Sequence, residues 1–313
     1  MKRLAIALCA ASVMLAAPAL AETVKIVVPF AAGGPVDQLA RILSHDLALQ
    51  LGADVIVEDK GGAGGAIGSE TVARATPDGK TMLLASMGSH VISPTLRPPS
   101  GYDPVKSFEP VMMVGSVPSL LVVSPKAGIS SLKDLIAKAK GQAMTYGSAG
   151  PGTTMNIAGE MLNAAAGLKI AHVPYRGAAP ALTDLMGGHL DMLNADFPVL
   201  LPLIKGNQVQ ALAVYGAERS PLLPEIPTTK ELGLPDVVME SWYGVFVPAG
   251  TPPPAREKLE KALFAVIAVP SVKEKLANNG MHGALDSAAF KARLAKDFPY
   301  WQDTIKELGI TAE

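Results

Sequence analysis

The sequence predicts an α/β protein of two lobes in series, with further helices packed after the second lobe. Three observations predict this. Short β-branched or apolar runs bounded by Pro and Gly alternate with segments of 3- and 4-residue apolar spacing, the pattern of strands joined by crossover helices into a parallel sheet. The alternation fills residues 24–86 and then begins afresh after residue 130. With 313 residues, 49% of them apolar, the chain can bury a core larger than one small unit requires.

Residues 1–21 read as an export signal. Lys2 and Arg3 form a positive start, residues 4–17 an apolar run, and Ala19-Leu20-Ala21 a small-x-small cleavage site that would leave Glu22 as the first residue. The run is shorter than the about 20 residues a spanning helix needs. Cys9, the single cysteine, lies inside the run and not at the cleavage point, so a lipid anchor is not expected and the processed chain would hold no cysteine. That excludes a disulfide framework and any multi-cysteine metal site. Removing Lys2 and Arg3 leaves 25 basic against 28 acidic residues, a net of −3. Nucleic-acid binding, which calls for a basic excess, is not expected. The expectation is a soluble periplasmic protein, a monomer by default.

Along the processed chain, residues 24–29 (VKIVVP) read as a buried strand. After a loop at residues 30–34, Val36, Leu39, Ala40, Leu43, Leu47 and Leu51 mark an amphipathic helix, with Pro35 at a first position that tolerates it. A strand at 55–58, a glycine-rich loop at 61–68, a helix at 69–75 and a strand at 81–86 complete the first set. Strands at 111–114 and 120–123, a helix capped by Ser130 or Ser131, strands at 144–147, 171–173, 190–193 and 211–214, and helices at 153–166 and 178–186 form the second. A strand at 243–247 precedes two C-terminal helices, the last kinked or split at Pro299. Placing those helices on the first lobe divides the chain into residues 22–115 plus 248–313 and residues 116–247. The chain then crosses near 116–124 and 241–248, a two-stranded hinge that suits a closing cleft.

Several site chemistries fail on spacing. The dinucleotide fingerprint fits at Gly62 and Gly64 but meets Ile67 at its third glycine, so a tight packing turn is preferred. Tyr146 and Met87 stand where a nucleophile elbow around Ser148 or Ser89 needs glycine. His45, His90, His172, His189 and His282 show no zinc-ligand spacing. No metal, cofactor or catalytic residue is expected.

What remains is positional. The loops at 30–37, 148–154 and 175–179 each follow a strand and open a helix, and the 86–90 loop also follows a strand. Ligands of open α/β sheets sit beyond the strands' carboxyl ends, and helix N-termini attract anions. Gly33 and Gly34, which let a ligand approach backbone N–H groups, are therefore candidates on one lobe, with the loop that starts at Ser86 beside them. Ser148, Gly150, Thr153 and Thr154 are candidates on the other. Ordinary capping and glycine turns would look the same. Arg176, beside Gly177, is the main cation near these loops, either a ligand contact or a solvated arginine. Asp196 either accepts a ligand hydrogen bond or caps a turn before Pro198. Trp242 and Tyr243 are core residues or ligand platforms.

The residues also carry a family resemblance. Pro29-Phe30-x-x-Gly33-Gly34-x-x-Asp37, the 61–68 loop, Pro77-Asp78-Gly79, Tyr102-Asp103-Pro104, Tyr146-Gly147-Ser148-x-Gly150-x-Gly152-Thr153, His172-Val173-Pro174-Tyr175-Arg176-Gly177 and Pro248-Ala249-Gly250-Thr251-Pro252 resemble the receptors of tripartite tricarboxylate transporters, also called Bug or TctC-type proteins. The resemblance implies a type II periplasmic binding-protein fold that closes like a flytrap. It implies capture of a small organic carboxylate, aliphatic or aromatic and mono- or dibasic, between Phe30, Gly33, Gly34 and Asp37 on one side and Ser148, Gly150, Thr153 and Thr154 on the other, with Ser89 and His90 nearby, and delivery to a membrane permease of one large and one small subunit. It implies no chemistry. Where family members carry Asp then Asn or Ser after the strand near 190, this chain has Ala195-Asp196. The first position, which meets the amine of amino-acid ligands, lacks its carboxylate, so an amino acid is disfavoured. Two other readings share the scaffold: a sensor subunit for a membrane signalling receptor, and an enzyme without a recognisable base–nucleophile pair.

Overall fold

The computed structural model describes residues 22–98 and 101–310, so the expected signal at 1–21, Cys9 included, lies outside the described residues. In chain order the elements are β1 (Thr23–Val28), α1 (Pro35–Leu51), β2 (Asp54–Asp59), α2 (Ala66–Ala73), β3 (Thr81–Ser86), α3 (Ser93–Leu96) and β4 (Phe108–Val123). They continue with α4 (Leu132–Gly141), β5 (Thr145–Ser148), α5 (Thr154–Ala166), β6 (Ala171–Pro174), α6 (Ala178–Gly187), β7 (Met192–Asp196), α7 (Phe197–Lys205) and β8 (Gln210–Val214). The chain ends in β9 (Glu240–Pro248), α8 (Pro253–Ala268), α9 (Pro270–Asn278) and α10 (Ser287–Glu307).

The strands pair in the order β2-β1-β3-β9-β4-β7-β5-β6, with β8 also on β4. β1 runs parallel to β2 and β3, and β5 parallel to β6 and β7, as strand–helix–strand units require. β1 buries Val24, Ile26, Val27 and Val28, and α1 lays Leu39, Ala40, Leu43 and Leu47 onto the sheet. These residues share one apolar stripe at helical spacing, and burying such side chains contributes roughly 1.5–3 kcal/mol each.

β4 joins the two lobes. Phe108 to Pro118 pair with β9, while Ser119 to Val123 pair with β7 and β8. The two strands expected at 111–114 and 120–123 are thus one 16-residue strand. Register shifts lie between Pro110 and Met112 and between Met113 and Gly115, and from Gly115 to Pro118 the strand runs in unbroken register with β9. The return passes through Met239, which bonds to Ser119 and Tyr215, into β9, which pairs with β3 and β4.

Two further differences follow from proline. Three helices, not two, close the chain, because Pro270 starts α9 directly after Val269 ends α8. Pro299 lies inside α10 without dividing it. α8 packs on α1, and α10 packs on β4 and α3. α7, which the sequence reading did not anticipate, carries Pro198 in its first turn and Pro202 inside it, and an interior proline ordinarily argues against a helix.

Candidate functional site

α1, α5, α6 and α7 each begin just past the carboxyl end of β1, β5, β6 and β7. Their N-termini converge on one cavity. The β1–α1 loop contributes Phe30, Gly34, Pro35 and Val36, and the β5–α5 connection Ala149, Thr153, Thr154 and Met155. Ser86 ends β3, Ala178 opens α6, Asp196 caps α7, and Tyr243 comes from β9. The cavity measures about 30 Å³, room for roughly two waters.

Among the described residues, no lysine, arginine or histidine lines this cavity. Its positive character comes from backbone. Gly34 and Gly177 cap α1 and α6 without a side-chain hydrogen bond, and first-turn N–H groups have no partner within their own helix. Thr153 caps α5 by accepting from the Asn156 N–H and donates to the Gly150 carbonyl. Each helix start carries roughly half a positive charge. Several such ends around one small space attract an anion through backbone, with no bare cation buried when it is empty.

Of the expected residues, Phe30, Gly34, Ser86, Thr153, Thr154 and Asp196 line the cavity. The others stand behind it or away from it. Asp37 turns back, accepting the Gly33 N–H at 2.7 Å and pairing with Arg41 at 2.7 Å, which holds the loop where Gly33 takes φ +82°. Ser89 is buried against Ser86, its hydroxyl 3.2 Å from the Ser86 carbonyl. Arg176 is exposed and outside the lining. Gly150 takes φ +121° in the loop before α5, and Gly177 precedes the Ala178 lining residue. The sequence reading missed Pro35, Val36, Ala149, Met155 and Ala178, which are the helix starts themselves. Their position beside the expected loops was the available signal.

Ser148 is buried and its hydroxyl lies 2.6 Å from His172 Nε2. No sequence spacing reveals this pair. The parallel register sets Tyr146 beside His172 and stacks their rings, which brings the imidazole to Ser148. Burial holds His172 below the ordinary histidine range. Ser148 also accepts the Gly150 N–H and stays outside the lining, so the pair braces the loop before α5.

His90 is 1% exposed and stacks on Phe246 with centroids 3.9 Å apart, with Phe108 and Trp242 at its edge. It is a core residue. Burial lowers its pKa from 6.5 to about 3. Between those values the unfolded chain binds a proton that the folded one refuses. Stability is therefore full above about pH 6.5 and falls toward pH 3, by about 1.4 kcal/mol per pH unit. Replacing His90 by Phe should remove this slope. From pH 7 to 5, denaturant unfolding should show the wild type losing about 2 kcal/mol more than the variant. Parallel losses would contradict the buried neutral assignment.

Asp196 is 4% exposed. Its Oδ1 accepts from Ser119 Oγ at 2.6 Å and its Oδ2 from Tyr243 Oη at 2.5 Å. Burial pushes its carboxyl above the ordinary range, with these hydroxyls opposing. Burial, with Asp196 adding to it, pushes Tyr243 well above its ordinary value.

The lobes meet tightly around the cavity, and glycines make the approach possible. A Cβ on Gly64 would sit 2.7 Å from the Pro151 carbonyl, one on Gly152 2.7 Å from Ser93 Cα, and one on Gly88 2.8 Å from the Thr154 nitrogen. The cleft is shut. The glycine-rich 61–68 loop thus supplies a contact with the opposite lobe, a more specific role than the packing turn preferred from sequence.

The family model for the tripartite tricarboxylate transporter family receptor matches residues 39–310. The chain belongs to this receptor family. Among the receptors' relatives, protein BugT of Bordetella pertussis is 32% identical over 304 residues, covering 94% of this chain and 93% of its own. MatC from Rhodopseudomonas palustris, solved with bound malate, is 30% identical with a TM-score of 0.85, covering 90% of this chain and 98% of its own. A second R. palustris protein, Rpa4515, solved with adipate, is 30% identical with a TM-score of 0.89, covering 92% and 98%. The receptor fold is that of periplasmic binding proteins, two α/β lobes with the cleft between them.

Proposed function

We propose that this receptor captures a small organic carboxylate in the cleft between its lobes and hands it to a membrane permease of one large and one small subunit. The observation that carries the proposal is the convergence of four helix N-termini on one cavity with no cation in its lining among the described residues. Backbone N–H groups and the Thr153 and Thr154 hydroxyls suit a carboxylate that must be released again. The malate and adipate of the two related structures support this class. The mature receptor works in the periplasm, with residues 1–21 as its cleaved signal and residues 22–115 plus 248–313 and 116–247 as its two lobes. No catalytic step is part of the proposal. Closure follows from the shut cleft: a space for about two waters must open to admit a dicarboxylate.

A thermal-shift screen with malate, adipate, tricarboxylates, terephthalate and amino acids tests the proposal. A true ligand at about 100 times its dissociation constant should add roughly 2.7 kcal/mol, a clear rise in melting temperature. Stabilisation confined to one carboxylate class is the expected result. Stabilisation by amino acids alone would contradict it.

A further inference from the structure

A carboxylate ligand enters a cavity that already holds a carboxyl of its own. Asp196 lines the cavity, and the groups that meet it come from the two strands joining the lobes: Ser119 on β4 and Tyr243 on β9. The buried Ser241 hydroxyl lies on β9 as well. Across the cavity stand the start of α1 at Gly34, Pro35 and Val36, and Thr153 and Thr154 of α5, none of them charged. The carboxylates beside the lining on α1 and β9 are paired elsewhere. Asp37 is bound to Arg41, and Glu240 to His282 and Ser116. Among the described residues, no lysine, arginine or histidine in the lining balances Asp196. Two carboxylates sharing a dry site cannot both remain ionised, because each disfavours the other's charge.

We propose that the protein takes up one proton as it closes over a dicarboxylate, and that this proton is held between Asp196 and the nearer ligand carboxylate. The proton comes from solvent and adds to one carboxylate oxygen. It turns an O⁻ facing O⁻ contact into an O–H donor facing an acceptor, and no other bond changes. The helix starts neutralise the ligand's other end. Because Asp196 pairs in register with Ser119, the point where β4 passes from one lobe to the other, the proton sits at the hinge and its uptake is tied to closure. The inference rests on the carboxylate-receptor reading.

Calorimetry of the purified protein tests it, with adipate and malate as probes, between about pH 6 and 9, each pH in two buffers of different ionisation enthalpy. The dependence on buffer should report uptake rising to about one proton at the alkaline end, where affinity falls about tenfold per pH unit. Asp196→Asn keeps the shape with a neutral amide and should bind with no proton uptake and no pH slope. Ser119→Ala removes a donor that favours the ionised carboxyl, so the onset of uptake should move to higher pH. Dicarboxylate binding by the wild type without proton uptake would overturn the inference and leave the carboxylate reading standing. So would a slope that survives Asp196→Asn. Failure of both dicarboxylates to bind would overturn the reading and the inference together.

Discussion

Gly34→Leu is expected to remove carboxylate binding while the protein stays folded. Gly34 caps α1 at φ −79° and ψ 173°, extended backbone that any residue adopts. Its Cβ would meet only the Ala31 carbonyl, at an ordinary 3.6 Å. Nothing in the fold opposes the substitution, so the melting temperature without ligand should shift by no more than about 2 °C. The added side chain, however, stands at the start of α1, where Gly34 lines the cavity. It would hold a carboxylate away from the α1 N–H groups. Affinity should fall by roughly 100-fold or more, about 2.7 kcal/mol. Titration calorimetry with the best ligand from the screen measures it. Unchanged affinity would take the β1–α1 loop out of the site.

Gly88→Ala should separate folding from closure. Gly88 opens a helical turn after β3 without the positive φ that requires glycine. Alanine there is favoured by up to about 1 kcal/mol on backbone entropy. Its Cβ would nevertheless lie 2.8 Å from the Thr154 nitrogen and 3.1 Å from Thr153 Cα on the opposite lobe. Those are backbone atoms at the start of α5 and cannot swing aside. The lobes must stand further apart, which also withdraws the α5 N–H groups from the ligand. Unliganded stability should hold or rise, while affinity falls roughly 10- to 100-fold, about 1.4–2.7 kcal/mol. Small-angle scattering at saturating ligand should show the variant with a larger radius of gyration than the wild type. Equal compaction with equal affinity would contradict the account of closure.

Much of the fold was legible because it depends on local patterns. The βαβ periodicity placed β1 through β3 and β5 through β8 within a few residues, and the loops after β1 and β5 pointed to the cavity. The failures arise where tertiary pairing overrides local signals. β4 runs through Gly115 and Pro118 because β9 lies along it. Asp37 and His90 looked like loop candidates, yet Arg41 and the Gly33 N–H claim the first, and an aromatic cluster encloses the second. The Ser148–His172 contact depends on strand register, which no spacing in one sequence reveals. Asp196 read as either a ligand acceptor or a turn cap, and its partners, Ser119 and Tyr243, are 77 and 47 positions away.

The central claim is that backbone N–H groups at the converging helix starts hold the ligand. Amide chemical shifts of a ¹⁵N-labelled protein, titrated with adipate or malate, test it most directly. The account predicts the largest changes at Val36, Asp37, Thr154, Met155, Ala178 and Ala179, with smaller ones along β4 and β9 as the hinge responds. A larger cavity of about 660 Å³ lies on the molecule between residues 216–222 and Met281 and His282. Saturable shifts centred there, with the helix starts unmoved, would contradict the claim.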